Sequence, residues 1–259
     1  MTDARWVDLD GVVNMRDLGG LPTRDGGRIR PRRLIRSDNL QDLTPRAVRT
    51  LVDELGVTDI IDLRSETELR EEGPGPLLRV TELTHHHHSL IPEQGRRATV
   101  EQALTMPWAT VEDGGRDASY WAGHYLGYLS DRPDSVAAAL RAISTSVGAA
   151  VVHCAAGKDR TGTVVGMALD VAGVPVDEIV ADYALSGERI EAILARLADR
   201  PLYGPALSAQ PLADQTPRPE TMTAILGALA DGFGGSAGWL RAQGWSEADV
   251  DRLRRRLRD

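Results

Sequence analysis

The chain has 259 residues, 42% of them hydrophobic and 26% charged, which is the balance of one ordinary folded domain, taken as residues 1–259. Its single cysteine excludes an internal disulfide. A formal net charge of −8 excludes a general nucleic-acid binder, because no basic excess exists to displace counterions, so any anionic substrate must be drawn in by a local cluster.

From the N-terminus, Val12–Gly20 reads as a short strand entering a turn, and Asp25-Gly26-Gly27 as a second turn ahead of extended segments. Thr44-Pro45 is a helix start with proline at the first helical position, and that helix runs to a stop at Gly56. The apolar run Val57–Leu63 predicts a buried strand, and residues 77–84 another. Residues 89–118 are polar and carry no assignment. Helices are expected over 119–131 and 134–146, then a buried strand at AAVV and an apolar helix from Thr161 to Gly173. VPVDEIVADYALS and ERIEAILARLAD have amphipathic helical periods, residues 201–219 form a Pro-rich connection, and the end is helical again with Ser246 and Asp249 at capping spacing. Strands alternating with helices predict an α/β fold, a central mostly parallel sheet between helical layers.

The stretch VVHCAAGKDRTGTVV, residues 151–165, holds both the only cysteine and the only lysine of the chain. A loop between a buried strand and a helix N-terminus lies at the carboxyl edge of the sheet, where open α/β folds bind ligands. The amides of Ala155, Ala156, Gly157, Lys158, Asp159 and Arg160 can curl around one anion, helped by the positive end of the following helix. A field that favours an anion also favours the thiolate of Cys154, the nucleophilic form. Arg160 adds a planar fork that can hold two phosphate oxygens at once. Together these groups describe attack on a phosphoryl group with a phosphocysteine intermediate, Thr161 donating its hydroxyl to the departing thiolate and His153 ordering the loop.

His153, Cys154, Arg160 and Thr161 match the shared motif of the protein tyrosine phosphatases, which this stretch resembles. The longer pattern His-Cys-x-x-Gly-Lys-Asp-Arg-Thr-Gly, residues 153–162, is similar to that of bacterial atypical tyrosine phosphatases related to the mycobacterial secreted phosphatase B, which also hydrolyse phosphoinositides. Asn14–Gly20, Ile35–Leu40, Asp62–Ser65 and Asp182-Tyr183-x-x-Ser186 fit the same subfamily in the same order. The resemblance implies a tyrosine-phosphatase-like fold and metal-independent hydrolysis of phosphotyrosine, with phosphoserine, phosphothreonine and phosphoinositides as further substrates. It also implies a helical lid drawn from residues 187–230.

Protonating a phenolic leaving group calls for an acid. No Trp-Pro-Asp occurs, and MPWATVED is a poor substitute. Asp159, within the loop, and Asp62, at the end of a strand, are the two candidates; their structural alternatives are a carboxylate holding Arg160 or Lys158, and a strand-end pair or turn cap with Arg64. Lys158 reads either as a solvated loop charge or as a second anion contact for substrates with an additional phosphate.

Two other enzyme or binding classes remain open at this point: a sulfurtransferase, against which the Arg-Thr-Gly lip speaks, and a phosphate-recognising module without turnover. A Walker nucleotide loop is excluded because Asp159 follows Gly157-Lys158 and the upstream glycine is missing. His85–His88 alternate across a strand, so at most two share a side, and neither metal nor cofactor is expected. The arginines of residues 252–258, interleaved with Leu253 and Leu257, read as the solvated face of an amphipathic helix, and Trp239 and Trp245 as core anchors. No stretch is apolar for a bilayer's thickness and the first residues carry no leader pattern, so a cytoplasmic protein is expected, or one exported without a recognisable signal, with no stable membrane insertion. The sequence carries no signal of oligomeric state.

Overall fold

The computed structural model describes residues 6–92, 118–208 and 211–258. Five strands form one sheet: β1 (Arg16–Asp17), β2 (Leu34–Ser37), β3 (Val57–Asp62), β4 (Thr84–His87) and β5 (Ala149–His153). Their order is β1-β2-β5-β3-β4, parallel throughout except for β1, which runs antiparallel to β2. The strand ahead of the cysteine is therefore the central one. It reads as an unbroken apolar run because both its faces are covered. Ala149 and Val151 face one side with Ile35 and Ile60, whereas Ala150 and Val152 face the other with Leu34 and Ile61.

On the first side lie α1 (Pro45–Arg49), continued by a wider π-type turn to Glu54, and the 3₁₀ turn Pro76–Arg79. Thr44 caps α1 by accepting from the Ala47 amide, and Gly56 ends the segment at φ +66°. The second side carries α3 (Ala118–Asp131), α4 (Pro133–Thr145), α5 (Asp159–Val171), α6 (Val176–Leu185), α7 (Ile190–Ala198), α10 (Pro219–Phe233), α11 (Ser236–Ala242) and α12 (Glu247–Leu257). Short helices α8 (Gly204–Ser208) and α9 (Leu212–Gln215) punctuate the Pro-rich connection. In α12 Leu253 and Leu257 are buried and Arg252 and Arg255 exposed, and Trp239 and Trp245 are core residues, as expected. Among the described residues no helix is long and apolar enough to cross a membrane.

Three expectations need correction. The strand at 77–84 is a 3₁₀ turn, in which Leu77 is buried and Leu78 exposed; the strand begins only at Thr84, so His85–His87 lie on the sheet's edge. His85 and His87 are exposed and His86 partly so, and two of the rings are also tied: His86 Nε2 meets Asp59 at 2.8 Å and His87 Nε2 meets the Arg64 carbonyl at 2.7 Å. The strand at 12–20 shrinks to two residues, because the amides of Val13 and Asn14 donate to the Asp38 carboxylate instead of a ladder. Helix α2 (Glu66–Glu72) was not anticipated; Ser65 and Glu68 start it with a reciprocal capping box. MPWATVED and most of the unassigned 89–118 segment lie outside the described residues.

Ile61 is fully buried on the larger side of the sheet. Ile61→Ala is expected to lower unfolding stability by about 2–5 kcal/mol in a urea titration; a loss near zero would contradict the packing described.

Candidate active site

The parallel register sets Ser37, His153 and Asp62 side by side, so the chain leaves β2, β5 and β3 at one edge of the sheet. Cys154 begins the loop after β5, buried at 2% exposure, and α5 starts five residues later. Gly157 lies at φ +67° with its α-carbon against the Ser37 carbonyl, where a Cβ would collide. Only glycine satisfies both demands.

The four carbonyls that follow Cys154 in the loop are engaged from outside it. The Asn39 amide donates to Ala155 O (2.9 Å), Asn14 Nδ2 to Ala156 O (2.9 Å), and Arg36 Nη2 to Gly157 O (2.8 Å) and more distantly to Lys158 O (3.5 Å). In a trans peptide the N–H points opposite to the C=O. Pulling these four carbonyls outward therefore turns the amides of Ala156, Gly157, Lys158 and Asp159 toward the hollow of the loop. The straps are themselves braced. Asp182 on α6 holds Arg16 Nε at 2.9 Å and Arg36 Nη1 at 2.7 Å, and Arg16 Nη1 holds the Asn14 side-chain oxygen at 2.8 Å. Burial opposes the charge of Asp182, but the two guanidiniums hold its carboxyl below the ordinary range. The sequence segments around Asn14, Arg36 and Asp182 thus meet in one buried cluster.

Arg160, in the first turn of α5, makes a two-pronged contact with Glu68 on α2, Nη1 to Oε2 at 2.5 Å and Nη2 to Oε1 at 2.9 Å. Glu68 is fully buried and also accepts from the Ser65 amide (2.7 Å) and the Tyr203 hydroxyl (2.9 Å). Burial works against the Glu68 charge, yet Arg160 keeps the carboxyl below its usual range. Sequence reasoning passed over Glu68, although Ser-x-x-Glu after a buried strand is the capping-box signature that could have found it. Thr161 Oγ1 is buried with no partner among the described residues, next to the cysteine's loop.

Asp62 does not fit the part of an acid. Its carboxylate takes the Arg64 backbone amide (3.0 Å) and the Arg64 Nη2 (2.6 Å), and His153 Nε2 lies 3.5 Å away. Burial would raise it, but His153 and Arg64 outweigh burial and hold it well below the ordinary carboxylate range. It is a strand-end anchor. His153 is buried, and burial above all pushes its imidazole down to about 4, consistent with an ordering role.

Lys158 is not a solvated loop charge either: it is 4% exposed, and its Nζ donates to the Gln215 carbonyl at 2.6 Å, with the Trp121 ring 5.6 Å away. Asp159 is buried beside it, its Oδ1 3.5 Å from that Nζ and accepting from the Tyr125 hydroxyl. Four side or main chains from residues 196–208 and 211–215 reach this edge. Arg196 pairs with Asp38 and Asp42, Arg200 with Asp42 and Glu72, Tyr203 with Glu68, and Gln215 with Lys158. Among the described residues no cluster of three or more histidine, cysteine or acidic side chains is arranged to hold a metal.

Cys154 and Arg160 are thus both buried, one at the start of the loop and the other in the first turn of the helix that follows it. The profile of the tyrosine phosphatase family matches residues 7–259. The chain belongs to the tyrosine phosphatase family. It is 29% identical to the triple specificity protein phosphatase PtpB of Mycobacterium tuberculosis, over 95% of this chain and 97% of that one. A tyrosine-protein phosphatase of Nostoc commune is 31% identical over 98% of this chain and 83% of its own. A putative tyrosine-protein phosphatase of Cupriavidus necator is 29% identical over 95% and 86%.

The His153 environment has a consequence for stability. Its folded-state value near 4 lies below the unfolded value of 6.5, so between those two values the unfolded chain binds a proton that the folded chain does not. Its contribution is complete above pH 6.5 and declines as pH falls toward 4, reaching a loss of about 2 kcal/mol at pH 5. Urea titrations at pH 7 and pH 5 should show that difference shrinking in His153→Gln; an identical pH slope in both proteins would refute it.

Proposed function

We propose that this chain hydrolyses phosphate monoesters, phosphotyrosine in proteins first, through a phosphocysteine on Cys154. The observation that carries the reading is the loop with four consecutive carbonyls held outward around a buried cysteine, with Arg160 fixed by Glu68. Inward amides and the Arg160 fork stabilise the charge of the transferring oxygens, and preorganised donors of this kind are the largest contribution in comparable sites.

In the first step the Cys154 thiolate forms an S–P bond while the P–O bond to the leaving group breaks. Asp159 passes its proton to the departing oxygen and becomes a carboxylate. In the second, water attacks phosphorus, Asp159 takes a proton from it, and the S–P bond breaks to release phosphate and restore the thiolate. The unpartnered Thr161 hydroxyl supports its assignment as the donor to sulfur at that moment. Ala155, Ala156, Gly157 and Lys158 supply the backbone cradle, and His153 orders it.

Residues within 187–230 act as a lid in this reading. With Cys154 at 2% exposure, a protein substrate requires the contacts of Arg196, Arg200, Tyr203 and Gln215 to yield. Lys158 then exchanges the Gln215 carbonyl for a second phosphate, which extends the substrate class to phosphoinositides. The name of the mycobacterial relative, a triple specificity phosphatase, agrees with that breadth.

The test is phosphate release from a phosphotyrosine peptide, a phosphoserine peptide and phosphoinositides with one to three ring phosphates, in a metal chelator. Cys154→Ser should abolish turnover by more than about 10⁴-fold, and Glu68→Ala should reduce it by about 10²-fold. Lys158→Ala should lower turnover of phosphoinositides selectively. Binding without turnover by the wild type would favour the phosphate-recognising module, and thiocyanate formation from thiosulfate and cyanide would favour the sulfurtransferase. For the lid, amide hydrogen exchange over 187–230 should change when phosphate is added; identical exchange would rule it out.

A further inference from the structure

We propose that Tyr125, backed by Tyr183, positions Asp159 by occupying one carboxyl oxygen, so that the other delivers the proton and the developing carboxylate is stabilised as it forms. The inference rests on the reading of Asp159 as the acid.

Asp159 is the first residue of α5 and is buried. The Tyr125 hydroxyl donates to its Oδ1, and Lys158 Nζ lies 3.5 Å from the same atom. Both of these contacts fall on Oδ1, and no hydrogen bond to Oδ2 is seen among the described residues, so Oδ2 is assigned as the oxygen that carries the transferable proton. Because the Tyr125 proton lies on Asp159, the 3.0 Å contact between the Tyr125 and Tyr183 oxygens has Tyr183 as donor. The donors run in one direction, from Tyr183 on α6 to Tyr125 on α3 to Asp159 on α5.

Both rings are fixed. Tyr125 stacks on Tyr128 (centroids 5.9 Å apart, planes 18° apart) and meets the Trp121 edge at 6.4 Å. Tyr183 fills the space beside Gly162, where a Cβ would come within 3.0 Å of its ring. Burial first, and then the charge of Asp159, pushes the Tyr125 hydroxyl well above its ordinary range, so it remains a donor at any working pH.

A protonated Asp159 offers Oδ1 as a neutral acceptor. As the S–P bond forms and the P–O bond breaks, the proton on Oδ2 leaves for the alcohol or phenol oxygen and Oδ1 gains charge. The bond from Tyr125 then becomes charge-assisted and roughly twice as strong. An interaction stronger in the transition state than in the ground state accelerates the step. It matters only when the leaving group needs its proton.

That dependence is the test. Tyr125→Phe keeps the ring and its packing, and would be assayed on phenyl phosphate, whose leaving group needs protonation, and on p-nitrophenyl phosphate, whose leaving group needs it far less. A general acid is worth about 10²–10⁴-fold, so loss of its positioning partner is expected to lower kcat/KM, which reports the leaving-group step and not the hydrolysis of the phosphocysteine, by about 10-fold or more on phenyl phosphate and by less than about 3-fold on p-nitrophenyl phosphate. Tyr183→Phe, which leaves Tyr125 in place without its donor, should show the same split at smaller size. Asp159→Asn, on the same two substrates, separates the two levels of the reading. If Asp159→Asn shows the split and Tyr125→Phe lowers both substrates equally or neither, the positioning inference fails and the acid stands. If Asp159→Asn shows no split, the acid assignment fails and the inference falls with it.

Discussion

The outward hold on four consecutive carbonyls is the constraint from which the rest of this edge follows. A loop of five residues between strand and helix has no ladder to fix its peptide planes. Here Asn14, Arg36 and the Asn39 amide fix them instead. The bracing is costly: Arg16, Arg36 and Asp182 are all nearly free of solvent contact, and each buried ion forgoes several kcal/mol of hydration. A hydrophobic cluster of the same volume would serve stability as well. It would not aim peptide planes, which needs donors of fixed geometry. Two guanidiniums also stand directly behind the loop. In a chain of net charge −8, positive charge brought to one place is what attracts an anion.

The cover is attached differently from the core beneath it. Arg196 and Arg200 both reach Asp42, which is half in solvent, and each also reaches a buried carboxylate, Asp38 for Arg196 and Glu72 for Arg200. The pairs with Asp42 contribute little each and weaken with salt. The buried contacts, Tyr203 with Glu68 and Lys158 with Gln215, are single hydrogen bonds. The attachments of Arg196, Arg200, Tyr203 and Gln215 thus mix exposed pairs, partly buried pairs and single hydrogen bonds, in contrast to the wholly buried ion cluster that sets the loop. Asn39 belongs to both systems, its amide holding Ala155 O while its side chain donates to Glu72 at 3.2 Å, the carboxylate that also receives Arg200.

The sheet and the loop were legible in the sequence because both are local. A strand covered on both faces must be an apolar run, and a cysteine, glycine and arginine at fixed spacing keep their relation whatever the rest does. What stayed hidden is carried between distant segments. Tyr125 and Asp159 are 34 residues apart and Glu68 and Arg160 are 92 apart, and no periodicity links them. For Asp62 the sequence left an acid and a strand-end pair with Arg64 side by side, because strand-end carboxylates look alike until their partners are seen, and the structure shows the pair. The 77–84 segment was misread because Pro76 and two leucines suit a 3₁₀ turn as well as a strand. Asn14, Arg36 and Asp182 stood inside segments that matched the family, but their joint task appears only when the three segments meet.

The chain has 29 arginines and one lysine, and it places that lysine beneath the cover with its amine on the Gln215 carbonyl. Guanidinium groups are poor nucleophiles toward acylating reagents, whereas a deprotonated amine is a good one. Apart from the α-amino group, such a reagent therefore finds a single amine in the whole protein, one whose nitrogen is held by Gln215. If residues within 187–230 act as the proposed lid, the rate at which that amine forms an amide follows its opening, with no label engineered into the chain.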